Sequence, residues 1–157
     1  MRSINVTRDV ARWLSHSRRG ARPAGALPGS RQRLADMDHP KRRRVLIVED
    51  ERALRVHYER HFSSRYDLVL AANGAEALAR LAEDVPDIAI LDMRLPDTDG
   101  VALLRAIRAT HPDLPVIITT AYMSIEPQLQ LLDVPYSDYI VKPFRLEELS
   151  ARIDAAL

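Results

Sequence analysis

The sequence predicts an α/β domain of the doubly wound type, in which five helices cover both faces of a five-stranded parallel sheet. Short apolar runs without polar alternation, such as Val45–Val48 and Ile88–Leu91, are typical of parallel strands that are buried on both faces. Segments with the spacing of amphipathic helices separate these runs, and this alternation indicates right-handed crossover units. A chain of 157 residues is long enough for one such domain and a tail.

Residues 1–43 differ in composition from the rest of the chain and are predicted to be a disordered basic arm. They contain three of the ten prolines and three of the five glycines. Residues 1–44 carry 12 Lys and Arg against three acids, a net charge of +9, whereas the remaining residues carry 11 basic and 19 acidic side chains, a net charge of −8. We therefore expect the arm and the domain, residues 44–157, to have different partners.

One segment of the arm has helical spacing. Val6, Val10, Trp13 and Leu14 allow a short basic helix, which is too short to be stable in water alone. The arm is interpreted as a linker-like extension, or as the product of translation that starts upstream of Met37. The less favoured alternative is that the arm binds nucleic acid or an anionic membrane surface and that the domain regulates this contact, because short basic runs are common by chance.

Cysteine usage and hydropathy limit the classes of protein to which the chain can belong. The absence of cysteine excludes disulfide frameworks and cysteine metal sites, and it agrees with a reducing compartment. The sequence has no apolar run of about 20 residues that could span a bilayer. We expect a soluble, cytoplasmic protein that does not bind membranes.

The domain begins with a strand, a helix and a second strand. The first strand is Val45–Val48, a continuous β-branched and aliphatic run. Residues 51–63 form a predicted helix in which Leu54 and Tyr58 share a face because they are four residues apart. The second strand, Tyr66–Leu70, follows after a short turn.

An Ala- and Leu-rich helix and the central strand come next. The pair Asn73-Gly74 breaks the chain, and residues 75–83 then have high helix propensity. The residues of this helix predicted to face the sheet are Ala75, Leu78 and Ala82. The central strand occupies residues 87–91 and ends at Asp92, which is the first charged residue after the buried run.

The rest of the domain repeats the alternation. The predicted helices are residues 101–109, 124–133 and 146–156, and the predicted strands are residues 116–118 and 138–141. The helix at 124–133 contains Pro127, which is tolerated only in a first turn, and Pro135 ends it.

Polar side chains follow four of the predicted strands, and a parallel sheet brings such strand ends to one edge. They are Glu49, Asp50, Asp92, Thr120 and Lys142. Three neighbouring carboxylates repel one another unless a cation compensates, and a divalent metal or a lysine would serve. Oxygen ligands suit Mg²⁺, whereas zinc is disfavoured because the set lacks histidine and cysteine. With a metal, a hydroxyl and an ammonium around it, Asp92 is predicted to be the nucleophile in phosphoryl transfer.

Four ordered motifs resemble those of the receiver domain of bacterial two-component response regulators. They are Val48–Glu51, Leu91–Gly100, Ile118–Ala121 and Asp138–Phe144. The resemblance covers residues 44–157, and the separations between successive site residues, 42, 28 and 22, match the order and spacing of the family. It implies a flavodoxin-like fold with the strand order 2-1-3-4-5.

The resemblance also implies a role for each acidic residue of the site. Asp92 would accept a phosphoryl group from the phosphohistidine of a histidine kinase. Asp50 and Asp92 would bind Mg²⁺ directly, together with the backbone carbonyl of Arg94. Glu49 would hold a water molecule bound to the metal.

Three further residues are implied to respond to the phosphoryl group. Lys142 would pair with its oxygens, Thr120 would hydrogen-bond one of them, and Tyr139 would act as a switch that turns inward behind Thr120. The bond between Lys142 and Pro143 is implied to be cis. Each residue taken singly also has an ordinary structural explanation, and the functional interpretation depends on their coincidence at the strand ends.

We expect a single-domain receiver, because no residues follow the closing helix for an output domain. We also expect it to be a phosphoacceptor rather than an enzyme. Its expected partners are a sensor histidine kinase or histidine phosphotransfer protein and a downstream protein, in a two-component or phosphorelay pathway. A phosphorylation-dependent homodimer is a further candidate, and nucleic acid is not an expected partner. A dehalogenase-like phosphatase would need a second aspartate two residues after Asp92, where this chain has Arg94.

Overall fold

The domain is built on a five-stranded parallel sheet, and a described helix follows each of the first three strands and the last one. The computed structural model of the chain describes residues 41–121 and 134–157. The strands are β1 (Arg44–Val48), β2 (Asp67–Ala71), β3 (Ile88–Asp92), β4 (Val116–Thr120) and β5 (Asp138–Val141). The helices of the described residues are α1 (Arg52–Phe62), α2 (Gly74–Glu83), α3 (Gly100–Thr110) and α4 (Leu146–Ala156). The strand order is β2-β1-β3-β4-β5, so the predicted flavodoxin-like fold is confirmed.

Two predicted features lie outside the described residues. One is the helix at 124–133, so four of the five predicted helices are described. The other is the basic arm, including its short helix, of which residues 1–40 are outside the described part. Within the described part of the chain, no helix combines the length and the apolar character needed to cross a membrane.

Strand β4 is longer than predicted, because Thr119 and Thr120 belong to it. Thr119 lies opposite Asp92 of β3, and Thr120 lies opposite Val141 of β5. Threonine is β-branched and suits a strand, and both side chains are almost fully buried. The buried sheet therefore continues to the level of Asp92.

The two faces of the sheet carry separate cores, and this explains why the strands show no polar alternation. In β1, Val45 and Ile47 belong to the cluster that includes residues of α1 and α4. Leu46 and Val48 belong to the opposite cluster with residues of α2 and α3. Successive residues of a strand point to opposite faces, so every position of such a strand is buried.

The predicted inner face of α2 is wrong. Ala75 and Ala82 are exposed, and the residues buried in this helix are Gly74, Ala77 and Leu81. Leu78 is only partly buried, although it packs against the core. In a helix rich in alanine, several faces have similar apolar character, and burial of the large Leu81 side chain selects one of them.

The loop between β3 and α3 is tied to the start of α2. The carboxylate of Asp97 accepts hydrogen bonds from the backbone N–H groups of Gly74 and Ala75, each at 2.9 Å. A Cβ atom on Gly74 would lie 2.5 Å from Cγ2 of Thr98, so a glycine permits this close approach. At the first turn of α2, Asn73 also accepts from the N–H of Glu76 at 2.8 Å. The start of α2 thus has acceptors both from its own cap and from the neighbouring loop.

We expect Asp97→Ala to lower the free energy of unfolding by about 1 to 2 kcal/mol, because two N–H groups at a helix start lose their acceptor. Urea denaturation followed by circular dichroism would measure this loss. Asp97→Asn keeps one side-chain acceptor oxygen and should lose less. Asp113→Ala is the control, since Asp113 is exposed and makes no side-chain hydrogen bond within residues 41–121 and 134–157. Equal stability of Asp97→Ala and wild type would contradict the assignment.

Candidate functional site

Four neighbouring strands deliver polar side chains to the carboxyl edge of the sheet. Asp92 is the last residue of β3, Thr120 is the last residue of β4, and Glu49 and Asp50 directly follow β1. Lys142 directly follows β5. Carboxylate oxygens of Glu49, Asp50 and Asp92 all lie within 4.8 Å of one another. The structure therefore brings the three predicted acids together at one point.

Lys142 reaches into this acidic cluster. Its Nζ donates a hydrogen bond to Oε2 of Glu49 at 2.7 Å and another to Oδ2 of Asp92. Only 2% of the surface of Glu49 and 6% of that of Asp92 is exposed, whereas Asp50 is exposed. One ammonium group is thus shared by two buried carboxylates, and the third carboxylate faces solvent.

Burial and neighbouring charges have opposite effects on the pKa values of Glu49 and Lys142. Burial raises the pKa of Glu49 above its ordinary value of 4.5, although the hydrogen bond and charge of Lys142 act to lower it. Burial alone would lower the pKa of Lys142, but the hydrogen bonds and charges of Asp92 and Glu49 outweigh it, so this pKa is raised. The ammonium therefore stays protonated at neutral pH, and the ionised form of Glu49 is costly in the absence of a further cation.

The donor set fits a magnesium ion. Three carboxylates and one ammonium leave an excess of two negative charges when all groups are ionised. The potential ligand atoms are all oxygens, which is the chemistry that Mg²⁺ prefers. The exposed Asp50 carboxylate keeps one side of the cluster open to solvent, where water ligands can complete a coordination shell.

Backbone hydrogen bonds hold Asp92 and its neighbours in position. The N–H of Arg94 donates to Oδ1 of Asp92 at 2.8 Å, and the N–H of Met93 donates to the carbonyl of Thr119 at 3.0 Å. The N–H of Gly100 donates back to the carbonyl of Met93 at 3.0 Å. A Cβ atom on Gly100 would lie only 2.6 Å from Cα of Met93, so the loop closes tightly because residue 100 is a glycine.

Thr120 and Tyr139 lie on the same face of the sheet. Tyr139 is opposite Ile118, and Ile118 and Thr120 are two residues apart on β4, so the three side chains leave the sheet on one side. Thr120 is 1% exposed, and Tyr139 is half-buried against the core on the side of α2 and α3. The register makes the tyrosine a diagonal neighbour of the threonine.

Lys142 is positioned by its own backbone as well. Its N–H donates to the carbonyl of Thr120 at 2.6 Å, which extends the β4–β5 ladder by one residue. The peptide bond between Lys142 and Pro143 is cis, as the resemblance implied.

Residues 45–154 match the family model of the response regulator receiver domain. The chain belongs to this family. Among curated relatives, the response regulator MprA of Mycobacterium leprae is 44% identical over 115 residues, and that of Mycobacterium tuberculosis (strain ATCC 25177 / H37Ra) is 43% identical over 115 residues. Each match covers 73% of this chain and 50% of the relative, so the chain spans about half the length of these curated relatives.

Solved receiver structures share the fold. The chemotaxis response regulator CheY4 of Vibrio cholerae has a TM-score of 0.69 and 27% identity, with 74% of this chain and 99% of that chain covered. A CheY-like receiver domain protein from Methanospirillum hungatei has a TM-score of 0.68 and 29% identity, with 73% and 92% covered. The family assignment and the sheet-edge cluster thus support the same interpretation of the chain as a receiver.

Arg55 is a contributor to the receiver site that the sequence did not reveal. Its guanidinium donates to the backbone carbonyl of Glu49 at 2.7 Å and to that of Asp50 at 2.6 Å. Arg55 lies near the start of α1, and its side chain reaches back to hold the loop of Glu49 and Asp50, which precedes the helix. Charged residues are common on a helix surface, so no pattern in the sequence distinguishes this arginine from its neighbours.

We expect Lys142→Met to lower the free energy of unfolding of the metal-free protein by roughly 3 kcal/mol, because Glu49 and Asp92 would remain buried without their shared cation. Urea denaturation in the presence of EDTA would measure the change. Lys41→Met is the matched control, because Lys41 is exposed and is the only other lysine in the chain. Similar losses in both variants, or none in either, would contradict a buried ion pair.

Proposed function

We propose that this receiver accepts a phosphoryl group on Asp92 from the phosphohistidine of a sensor histidine kinase or of a histidine phosphotransfer protein. The observation that carries the proposal is the environment of the Asp92 carboxylate. Asp92 is nearly buried, yet it ends a strand at the sheet edge. Its carboxylate lies within 4.8 Å of the carboxylate oxygens of two other acids and accepts a hydrogen bond from the ammonium of Lys142. A structural aspartate does not need two neighbouring carboxylates and an ammonium group around it, whereas a phosphoacceptor does.

In the proposed transfer, a carboxylate oxygen of Asp92 attacks the phosphorus atom of the donor. A bond forms between oxygen and phosphorus, and the bond between phosphorus and the imidazole nitrogen breaks. The nitrogen keeps the electron pair, which leaves a neutral imidazole after proton balance with solvent. The product on this chain is an acyl phosphate, and water later hydrolyses it. The chain is thus a phosphoacceptor rather than an enzyme with a separate substrate.

The residues around Asp92 have separate tasks in this mechanism. The N–H of Arg94 orients the carboxylate through Oδ1, which leaves its side chain in one arrangement before transfer. Lys142 balances negative charge on the phosphoryl oxygens, since its raised pKa keeps the ammonium protonated. The hydroxyl of Thr120, at the end of the neighbouring strand, hydrogen-bonds one of those oxygens.

We propose that Asp50, Asp92 and the backbone carbonyl of Arg94 would hold a magnesium ion, and that Glu49 would hold a water molecule bound to it. Bound Mg²⁺ supplies positive charge that offsets the charge of the three carboxylates and of the phosphoryl group. Arg55 supports these ligands, because it fixes the backbone of the loop that carries Glu49 and Asp50.

Phosphorylation adds about two negative charges at Asp92, and we propose that this biases a two-state equilibrium. Movement of Thr120 toward the phosphoryl group makes room for Tyr139, its diagonal neighbour on the same face, to turn inward. The altered surface near β4 and β5 then contacts a downstream protein or a second receiver. We place this signalling in the cytoplasm, in a two-component or phosphorelay pathway. A regulated contact by the basic arm has no supporting observation among the described residues.

We expect wild-type protein with Mg²⁺ and acetyl phosphate to gain one phosphoryl group, and Asp92→Asn to gain none. Intact mass spectrometry at neutral pH would measure incorporation. Asp99→Asn is a control in the same loop, because Asp99 caps α3 by accepting from the N–H of Ala102 and does not belong to the cluster. Equal incorporation by wild type and Asp92→Asn would refute the proposal. Loss of incorporation in Asp99→Asn with intact folding would show that the variant effect is not specific.

A further inference from the structure

A cavity of about 440 Å³ lies on the side of the sheet that carries α1 and α4. One wall is the face of α1 that carries His57, Tyr58 and His61, and the opposite wall is formed by the loop after β5 and the first turn of α4. Lys142 and Glu147 also line it. Neither histidine belongs to the acidic cluster, and the proposed phosphoryl transfer does not use them.

The two histidines are placed for joint binding of one ion. They are four residues apart on α1, so their Cβ atoms are neighbours on successive turns, about 5 to 6 Å apart. Both side chains line the same cavity, which has room for an ion and its water ligands. Paired imidazoles with this spacing on a helix are a recurrent arrangement for borderline divalent ions such as Zn²⁺.

An aromatic neighbour orients one of the imidazoles, and the other is accessible. The ring of His61 packs edge-on against Phe62, with 4.9 Å between ring centroids and an angle of 87° between the planes. His57 makes no hydrogen bond or ion pair within the described residues, so its nitrogens are accessible to a ligand. Between them on the helix, Tyr58 is buried, and burial raises its pKa to about 12, so the phenol stays neutral and does not compete as an anionic ligand.

Among the described residues, three charged side chains line the cavity: Lys142, Glu147 and the exposed Arg145, whose guanidinium opposes the charge of Glu147 but is screened by solvent. The ammonium of Lys142 points into the acidic cluster, where Glu49 and Asp92 neutralise it. The carboxylate of Glu147 is exposed on the cavity wall and offers negative charge to a bound ion. The cavity offers nitrogen ligands, whereas the acidic cluster offers oxygen ligands. The two sites would therefore select different metal ions, because imidazole prefers zinc, nickel and copper whereas carboxylates suit magnesium.

We propose that His57 and His61 form a binding site for a divalent transition-metal ion of the Zn²⁺ type, distinct from the acidic cluster at the strand ends. The two imidazoles supply two nitrogen ligands, and water occupies the remaining positions. The site does not depend on phosphorylation of Asp92, so it can be tested independently of the proposed function.

The test is titration of the full chain with Zn²⁺ in saturating Mg²⁺, followed by calorimetry and by NMR of the imidazole resonances. We expect His57 and His61 to shift together. Each of His57→Ala and His61→Ala should weaken Zn²⁺ binding by tenfold or more, because loss of a ligand should cost at least as much as loss of a supporting contact, about 10- to 100-fold. His111→Ala is the control, since His111 follows α3 and does not line the cavity.

Two results would overturn the proposal. One is Zn²⁺ affinity within about twofold of wild type in both His57→Ala and His61→Ala while thermal melting confirms that the variants are folded. The other is loss of Zn²⁺ binding in Asp50→Asn with both histidine variants unaffected, because the ion would then occupy the acidic cluster instead.

Discussion

The ammonium of Lys142, shared between Glu49 and Asp92, is the interaction on which the rest of the site depends. Two carboxylates that are almost fully buried would repel each other strongly without it. The strand order makes the contact demanding, because β5 lies two strands away from β3, or about 10 Å at the usual strand spacing. Only a long, flexible cationic side chain that leaves the end of β5 and bends inward across β4 can meet both acids. The doubly wound sheet thus brings the strand ends to one edge, and one lysine connects the ends of strands that are not neighbours.

The loop between β3 and α3 is the second constraint, and it is held by elements on both sides. Asp97 bonds the start of α2, Asp99 caps α3, and the N–H of Gly100 returns to the carbonyl of Met93. These bonds fix the backbone that begins at Asp92 before any ligand arrives. Such pre-organisation would assist the proposed transfer, because the Asp92 carboxylate would not have to be ordered during the reaction.

The sequence predicted the strands well because each buried strand carries an uninterrupted apolar run, and it predicted the strand order through the resemblance of its motifs. The acidic cluster was also predictable, since parallel strand ends must meet at one edge. The inner face of α2 was not, because Ala75, Ala77 and Ala82 have nearly equal apolar character. Arg55 and Asp97 were missed because their partners are backbone groups, whose positions depend on the paths of loops rather than on local sequence periodicity.

The contacts of Arg55 have a consequence for how such a site can change over evolutionary time. The guanidinium binds the carbonyls of residues 49 and 50 and not their side chains, so these two contacts do not depend on which acids the loop carries. Exchange of glutamate for aspartate at either position would alter reach and charge placement while the scaffold persists. Acidic residues at these two positions can therefore be exchanged while Arg55 still holds the loop backbone, and the affinity for the proposed metal ion would change without a new fold.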